Sequence, residues 1–133
     1  MIVIDASALI AALDSHDAHH KKAQQLLGDT TDLGIHPLTL AEILVLPVKE
    51  QRGQAVLDAI SKTCIKVLSA EIITPLDAAT ARAATGLKLP DAVVLATAQA
   101  LKAGIVTFDL RLAAAANRMG IETSGVEEQL SEP

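Results

Sequence analysis

The amino-acid sequence predicts a single α/β domain, a three-layer α/β/α sandwich around a central, mostly parallel sheet. Short aliphatic runs alternate with helical patterns along the chain. Glycines and prolines stand where those patterns stop and start. The chain has 133 residues, 50% of them apolar, enough for one compact domain whose core needs neither disulfides nor structural metal. Strands alternating with helices imply right-handed crossovers, hence parallel pairing with both sheet faces covered.

Ile2-Val3-Ile4 reads as the first strand, followed by an Ala/Leu helix over Ser7 to Leu13. A second helix is expected from Asp17 to Leu27, with His20, Ala23, Gln24 and Leu27 at helical spacing. Asp29 to Asp32 make a polar turn into a strand at Leu33-Gly34-Ile35. Thr39 then opens a helix, because Thr39-Leu40-Ala41-Glu42 carries the capping-box pattern. Pro47 should kink or shorten that helix, and Gly53 separates it from a helix over Gln54 to Lys62. Ile65 to Leu68 form the third strand. Pro75 begins a helix that Asp77 to Thr85 continue and Gly86 ends. Pro90 starts another that runs to Lys102, with Gly104 as its left-handed cap. Ile105-Val106-Thr107-Phe108 is the fourth strand, and Leu110 to Met119 are helical up to Gly120. A short strand follows near Ile121. The domain spans 1–126, and Glu127 to Pro133 read as a frayed tail.

Composition narrows the function classes. Phe108 is the only aromatic residue, which removes base stacking on aromatic platforms as a mode of nucleic-acid binding. The formal charge of −5 argues against a broad basic grip on nucleic acid. It does not argue against an acidic metal centre that touches phosphates through a few basic neighbours. Cys64 is the single cysteine and abuts the run Ile65-Lys66-Val67-Leu68, so a buried, inert thiol in a reducing cytoplasm is expected. No targeting segment is evident, and the longest uncharged run, Ala92 to Leu101, is far short of a membrane span. No Walker or dinucleotide glycine pattern is present.

The acids carry the chemistry. Ligands of open α/β sheets bind beyond the carboxyl ends of the strands. Asp5 follows the first strand and Asp109 ends the fourth, while Glu42 and Asp91 are expected in the first turns of helices. All four therefore belong to one rim. Each also suits a structural role: Asp5 and Asp109 as helix N-caps, Glu42 as the far half of a capping box, Asp91 as a charge matched to a helix dipole. Convergence without a cation is costly, since two like charges about 4 Å apart repel by ~4 kcal/mol at an effective dielectric near 20. Hard oxygen donors without a convergent His/Cys set suit Mg²⁺ or Mn²⁺ better than Zn²⁺. Such ions activate water and stabilise a leaving oxygen in phosphodiester hydrolysis, with no side-chain nucleophile.

Basic residues are weighed against this rim. Lys88 and Arg111 lie close in sequence to the acids and are the candidate phosphate contacts, with solvated surface the default for Lys49, Arg52 and Arg82. His16 and His20 stand four apart, a zinc-compatible spacing on a helix, but no third ligand accompanies them.

Met1-Ile-Val-Ile-Asp5-Ala-Ser7 resembles the opening of PIN domains, where a strand delivers an acid and a small hydroxyl residue follows. Leu89-Pro90-Asp91-Ala92, running into Val93 to Ala98, is similar to the third-acid helix of the VapC toxins, and Ile105-Val106-Thr107-Phe108-Asp109 to their final strand. Thr39-Leu40-Ala41-Glu42 stands where the second acid is expected. The resemblance extends from Met1 to about Ile121. It implies an endoribonuclease dependent on Mg²⁺ or Mn²⁺ that acts as the toxin of a toxin–antitoxin pair. Asp5, Glu42, Asp91 and Asp109 would be the metal-binding, catalytic acids. Ser7 and Thr107 would orient carboxylates or metal-bound waters. It further implies an RNA substrate, a homodimer, and a cognate antitoxin whose tail crosses the acidic site. The chain departs from the family in its near absence of aromatics, including Leu112 after the last acid.

Three other readings are kept. A phosphoacceptor receiver domain would want a second acid beside Asp5 and a lysine ending the last strand, and Ala6 follows Asp5 instead. A catalytically silent PIN-like interaction module would be favoured by loss of a quartet member, and none is lost. A DNA-directed nuclease stays open because no residue singles out a ribose 2′-hydroxyl.

Overall fold

A computed structural model of the chain describes residues 1–126; the tail expected at Glu127 to Pro133 lies outside the described residues. Five strands form one sheet: β1 (Ile2–Ile4), β2 (Leu33–Ile35), β3 (Ile65–Val67), β4 (Gly104–Thr107) and β5 (Thr123–Gly125). Their order is β3-β2-β1-β4-β5, and every pairing is parallel. The intervening helices are α1 (Ala6–Leu13), α2 (His20–Gly28), α3 (Pro37–Lys49), α4 (Gly53–Ser61), α5 (Pro75–Thr85), α6 (Leu89–Leu101) and α7 (Leu110–Arg118).

Alternation along the strands builds the two cores. Ile4 and Val106 face one side with Leu9, Ile35, Leu40 and Ile43. Val3 and Ile105, one residue earlier in each strand, face the other with Val94, Leu95 and Leu112. Strands covered on both faces need no polar alternation, which is why β1 is simply Ile-Val-Ile. The α6 helix is buried continuously from Ala92 to Ala98. Asp91 stands immediately before that buried stretch, which fixes its place.

From β1 the chain builds outward through β2 to β3, then crosses to β4 on the opposite side of β1. The sheet thus reverses direction between β1 and β4, and a crevice opens beyond their carboxyl ends. Asp5 and Asp109 follow these two strands. At the β5 edge, Gly125 has φ +108, and a Cβ there would collide with the Thr107 carbonyl oxygen. Only glycine lets β5 close this tightly on the last residue of β4.

Several expectations need correction. α3 begins at Pro37, not Thr39: proline presets the first helical φ, and His36 Nδ1 accepts the Leu38 N–H as the cap. The capping box at Thr39 and Glu42 does not form, and Glu42 lies in the second turn, not the first. Pro47 lies inside α3, which continues two residues past it and ends at Lys49, where the N–H groups of Glu50 and Arg52 close on the Pro47 carbonyl. The left-handed cap of α6 is Lys102, with φ 51, because Gly104 is already paired in β4. α2 starts at His20, since the turns after Asp14 are held by Asp14 and Asp17 side chains on the N–H groups of His16 and His19. His16 and His20 therefore do not share a helix face. β5 forms two residues beyond Ile121. Cys64 is exposed, since it precedes β3, an edge strand with its own face half open. Among the described residues, no helix is long and apolar enough to cross a membrane.

Candidate active site at the reversal of the sheet

Asp5 occupies the N-cap position of α1 without capping it. Its carboxylate turns instead to two hydroxyls: Ser7 Oγ and Thr107 Oγ1 each donate to Oδ2 at 2.7 Å. Both hydroxyls also accept, Ser7 from the Phe108 N–H at 3.0 Å and Thr107 from the Asp109 N–H at 3.0 Å. With each proton committed to Asp5, the 3.2 Å approach of the two hydroxyls to one another is contact, not a bond. Asp5 is only 3% exposed, so these charge-assisted bonds hold a buried anion in place. Both fall on Oδ2, which leaves Oδ1 with capacity to coordinate.

Asp109 caps α7, its Oδ1 accepting the N–H groups of Arg111 at 2.9 Å and Leu112 at 3.1 Å. The structural role considered for this residue is realised, and its second oxygen is left for the crevice. The role considered for Asp5 is not realised, nor is the one considered for Glu42.

Electrostatics tie the four acids together. Burial pushes the Asp91 carboxyl up to about 6, and the charges of Asp5, Asp109 and Glu42 push the same way, against a smaller opposing pull from Lys88. Glu42 is raised by burial and then by the charge of Asp5. Asp91 thus lies where the fields of the other three acids overlap. Among the described residues, no three His, Cys, Asp or Glu side chains close into a finished metal cage. The acids stand within reach of one another's charge but apart, as like charges do. An all-carboxylate donor set whose ionised form is disfavoured by its own members fits a hard divalent cation.

Two residues of this region take positions that the sequence reading did not foresee. Thr39 is 1% exposed, yet its Oγ1 is the one buried side-chain polar atom among the described residues without a partner. Leaving such a group unpaired costs about 1–3 kcal/mol. His19, before α2, stacks on Phe108 with ring centroids 4.5 Å apart and planes 6° from parallel. The lone aromatic is thus used as a brace between Thr107 and Asp109. No sequence signal pointed to either, because each depends on where α2 and α3 begin.

The basic candidates separate. Lys88 is the N-cap residue of α6, and its charge registers at Asp91. Arg111 is exposed on α7 and is not among the charges acting on Asp91. Arg52 pairs with Glu50 at 3.1 Å, and Arg82 donates to the Leu87 carbonyl at 3.0 Å. His20 Nδ1 lies 2.9 Å from the Ala11 carbonyl and ties α2 to α1. Leu112, three residues after the last acid, is fully buried in the core.

Residues 2–118 match the PIN domain, and the chain belongs to that family. Among solved structures it is similar to a toxin–antitoxin complex from Klebsiella pneumoniae, with 27% identity, TM-score 0.68, and 86% of this chain and 91% of that chain covered. It is similar to PAE2754 from Pyrobaculum aerophilum, with 28% identity, TM-score 0.64, and coverage of 97% and 90%. VapC20 of Mycobacterium tuberculosis, described as a sarcin-ricin loop cleaving toxin, shares the fold at 19% identity, TM-score 0.68, and coverage of 86% and 95%. Among curated proteins none matches the chain.

Proposed function

We propose that this protein is a divalent-metal-dependent endoribonuclease and the toxin of a toxin–antitoxin pair. The observation that carries the reading is the gathering of acids at the strand ends of β1 and β4, with Asp91 half-buried and its ionisation opposed first by burial and then by the charges of Asp5, Asp109 and Glu42. Membership of the PIN domain family and the likeness to a solved toxin–antitoxin complex support it.

Asp5, Glu42, Asp91 and Asp109 would hold Mg²⁺ or Mn²⁺. Bound there, the ion supplies the activation of water and the stabilisation of the leaving oxygen that phosphodiester hydrolysis needs. The chain's own residues do the rest. Ser7 and Thr107 hold the Asp5 carboxylate in one orientation, and Thr107 also fixes the backbone that presents Asp109. Lys88 supplies a cation beside Asp91, where a phosphate arriving at the acids would need one. Arg111, further from the acids' field, is the outlying candidate for the same task.

The partner reading has its own support. An open groove of about 610 Å³ runs between α1, α3 and α4, with Ile10, Leu13, Leu46, Pro47 and Val56 in its walls and Glu42 at its margin. Exposed Ile10, Leu13 and Leu46 suit an apolar segment of an antitoxin that then reaches the acids. Exposed Val45, Leu76 and Leu89 offer further apolar surface for a second copy of the chain. We place the protein in the cytoplasm, where its RNA substrate is.

Purified protein incubated with a mixed RNA pool, with and without Mg²⁺ or Mn²⁺, tests the reading beside Asp5→Asn and Asp91→Asn. The expected result is metal-dependent cutting that both variants lose. Cutting that survives both substitutions overturns it, and cutting of DNA alone moves the chain to a DNA-directed nuclease.

A further inference from the structure

Two helical threonines of this protein settle their hydroxyls on the carbonyl four residues back, Thr85 and Thr97, each at 2.7 Å. Thr30, just past the end of α2, does the same at 3.0 Å. Thr39 has no such option. It is the third residue of α3, so the carbonyl four back belongs to Ile35 in β2, outside the helix, where it bonds the Leu68 N–H at 2.9 Å and does not meet the Thr39 hydroxyl. The carbonyl three back, of His36, takes the Leu40 N–H at 3.0 Å. A hydroxyl is therefore buried where the local backbone gives it no partner.

Its place is specific. At about 100° per residue, Thr39 lies on the helix surface between Glu42 and Ile43, one turn nearer the rim than Glu42. Ile43 and the neighbouring Leu40 belong to the apolar core, whereas Glu42 belongs to the acids. α3 also packs on α1 and α6, the helices whose starts carry Asp5 with Ser7, and Asp91. Valine has the same shape and would fill the position without an orphan.

We propose that Thr39 is a further residue of the metal site, its Oγ1 serving as hydrogen-bond partner to the hydrated divalent ion that the acids hold. It is a positioning residue, orienting what the carboxylates bind. The inference rests on the metal-dependent reading above. Ser7 and Thr107 brace the site from α1 and β4, and Thr39 completes it from α3.

The test compares wild type, Thr39→Val, Thr39→Ser, Thr39→Ala and Asp5→Asn. Thermal melting is measured first without metal, then each protein is titrated with Mn²⁺ by calorimetry. Thr39→Val is expected to melt at or above the wild-type temperature without metal. It should bind Mn²⁺ about 10–100-fold more weakly. Thr39→Ser should keep close to wild-type affinity, and if Thr39→Val does not fold, the serine and alanine variants repeat the comparison with the hydroxyl as their only difference. Hydroxyl-free variants that bind Mn²⁺ as wild type does overturn the inference. If wild type binds Mn²⁺, Asp5→Asn abolishes binding and Thr39→Val leaves it intact, only the role of Thr39 falls. If wild type neither binds Mn²⁺ nor cuts RNA, the metal-dependent reading itself falls.

Discussion

The β1–β4 side of the rim and its α3–α6 side carry the same kinds of group in opposite states. On the first side, Asp5 is buried and its Oδ2 bonded by two hydroxyls, and Asp109 is bonded to the start of α7. On the second, Glu42 and Asp91 are pushed toward their protonated forms, and Thr39 holds a buried hydroxyl with no partner. The difference teaches where such a site places its order and where it places its tension. Strand ends give fixed geometry and supply the anchors. Helix starts deliver acids that repel until a cation compensates them.

The largest break of the comparison is on the anchored side. Asp5→Asn should lower RNA cleavage more than ~10³-fold, the equivalent of about 4 kcal/mol of transition-state stabilisation, in a steady-state assay. Thr107→Val comes next. It removes the donor to Asp5 and the acceptor of the Asp109 N–H together, and should cost about 10–100-fold in activity. It should also cost roughly 1–3 kcal/mol of stability, read by urea denaturation.

The α3–α6 side should respond the other way. A carboxyl whose pKa is raised in the fold favours the native state while protonated, and that contribution is lost as pH rises through the native value. For Asp91 the window runs from its ordinary value of 3.8 to about 6. Metal-free protein should lose stability across that range, and Mn²⁺ affinity should rise across it as the proton leaves. Asp91→Asn should abolish cutting yet stabilise metal-free protein at pH 7 by on the order of 1 kcal/mol after solvent screening, about 4 °C in Tm. A variant no more stable than wild type would remove the tension from the account. The smallest effect belongs to Lys88→Ala, which should move the Asp91 titration further up by NMR, while Arg111→Ala leaves it in place.

The anchored side was legible in the sequence, the tense side only in part. Asp5 and Asp109 each follow an aliphatic run, so both acids were located with their strands, although β4 lies one residue earlier, at Gly104–Thr107, than the run Ile105 to Phe108 suggests. Ser7 and Thr107 came only with the resemblance to PIN domains, and nothing in the strand pattern singles them out. α3 defeated the reading because Thr39 to Glu42 spells a capping box that Pro37 and His36 pre-empt three residues earlier. That shift carried Glu42 into the second turn and hid the isolation of Thr39. Gly104 was mistaken for a helix cap for a similar reason: the residue type fits both roles, and the pairing of β4 with β1 decides between them. The exposure of Cys64 reflects its place before the sheet's outermost strand, which an apolar neighbourhood in sequence does not disclose.

The close approach of Gly125 to Thr107 ties the anchor of Asp5 to a strand of three residues far from it in sequence. Because β5 pairs with Ile105 to Thr107, the strand that donates to Asp5 and leads into Asp109 has a neighbour on both sides. Without residues 123–125 that anchor would lean on an open sheet edge.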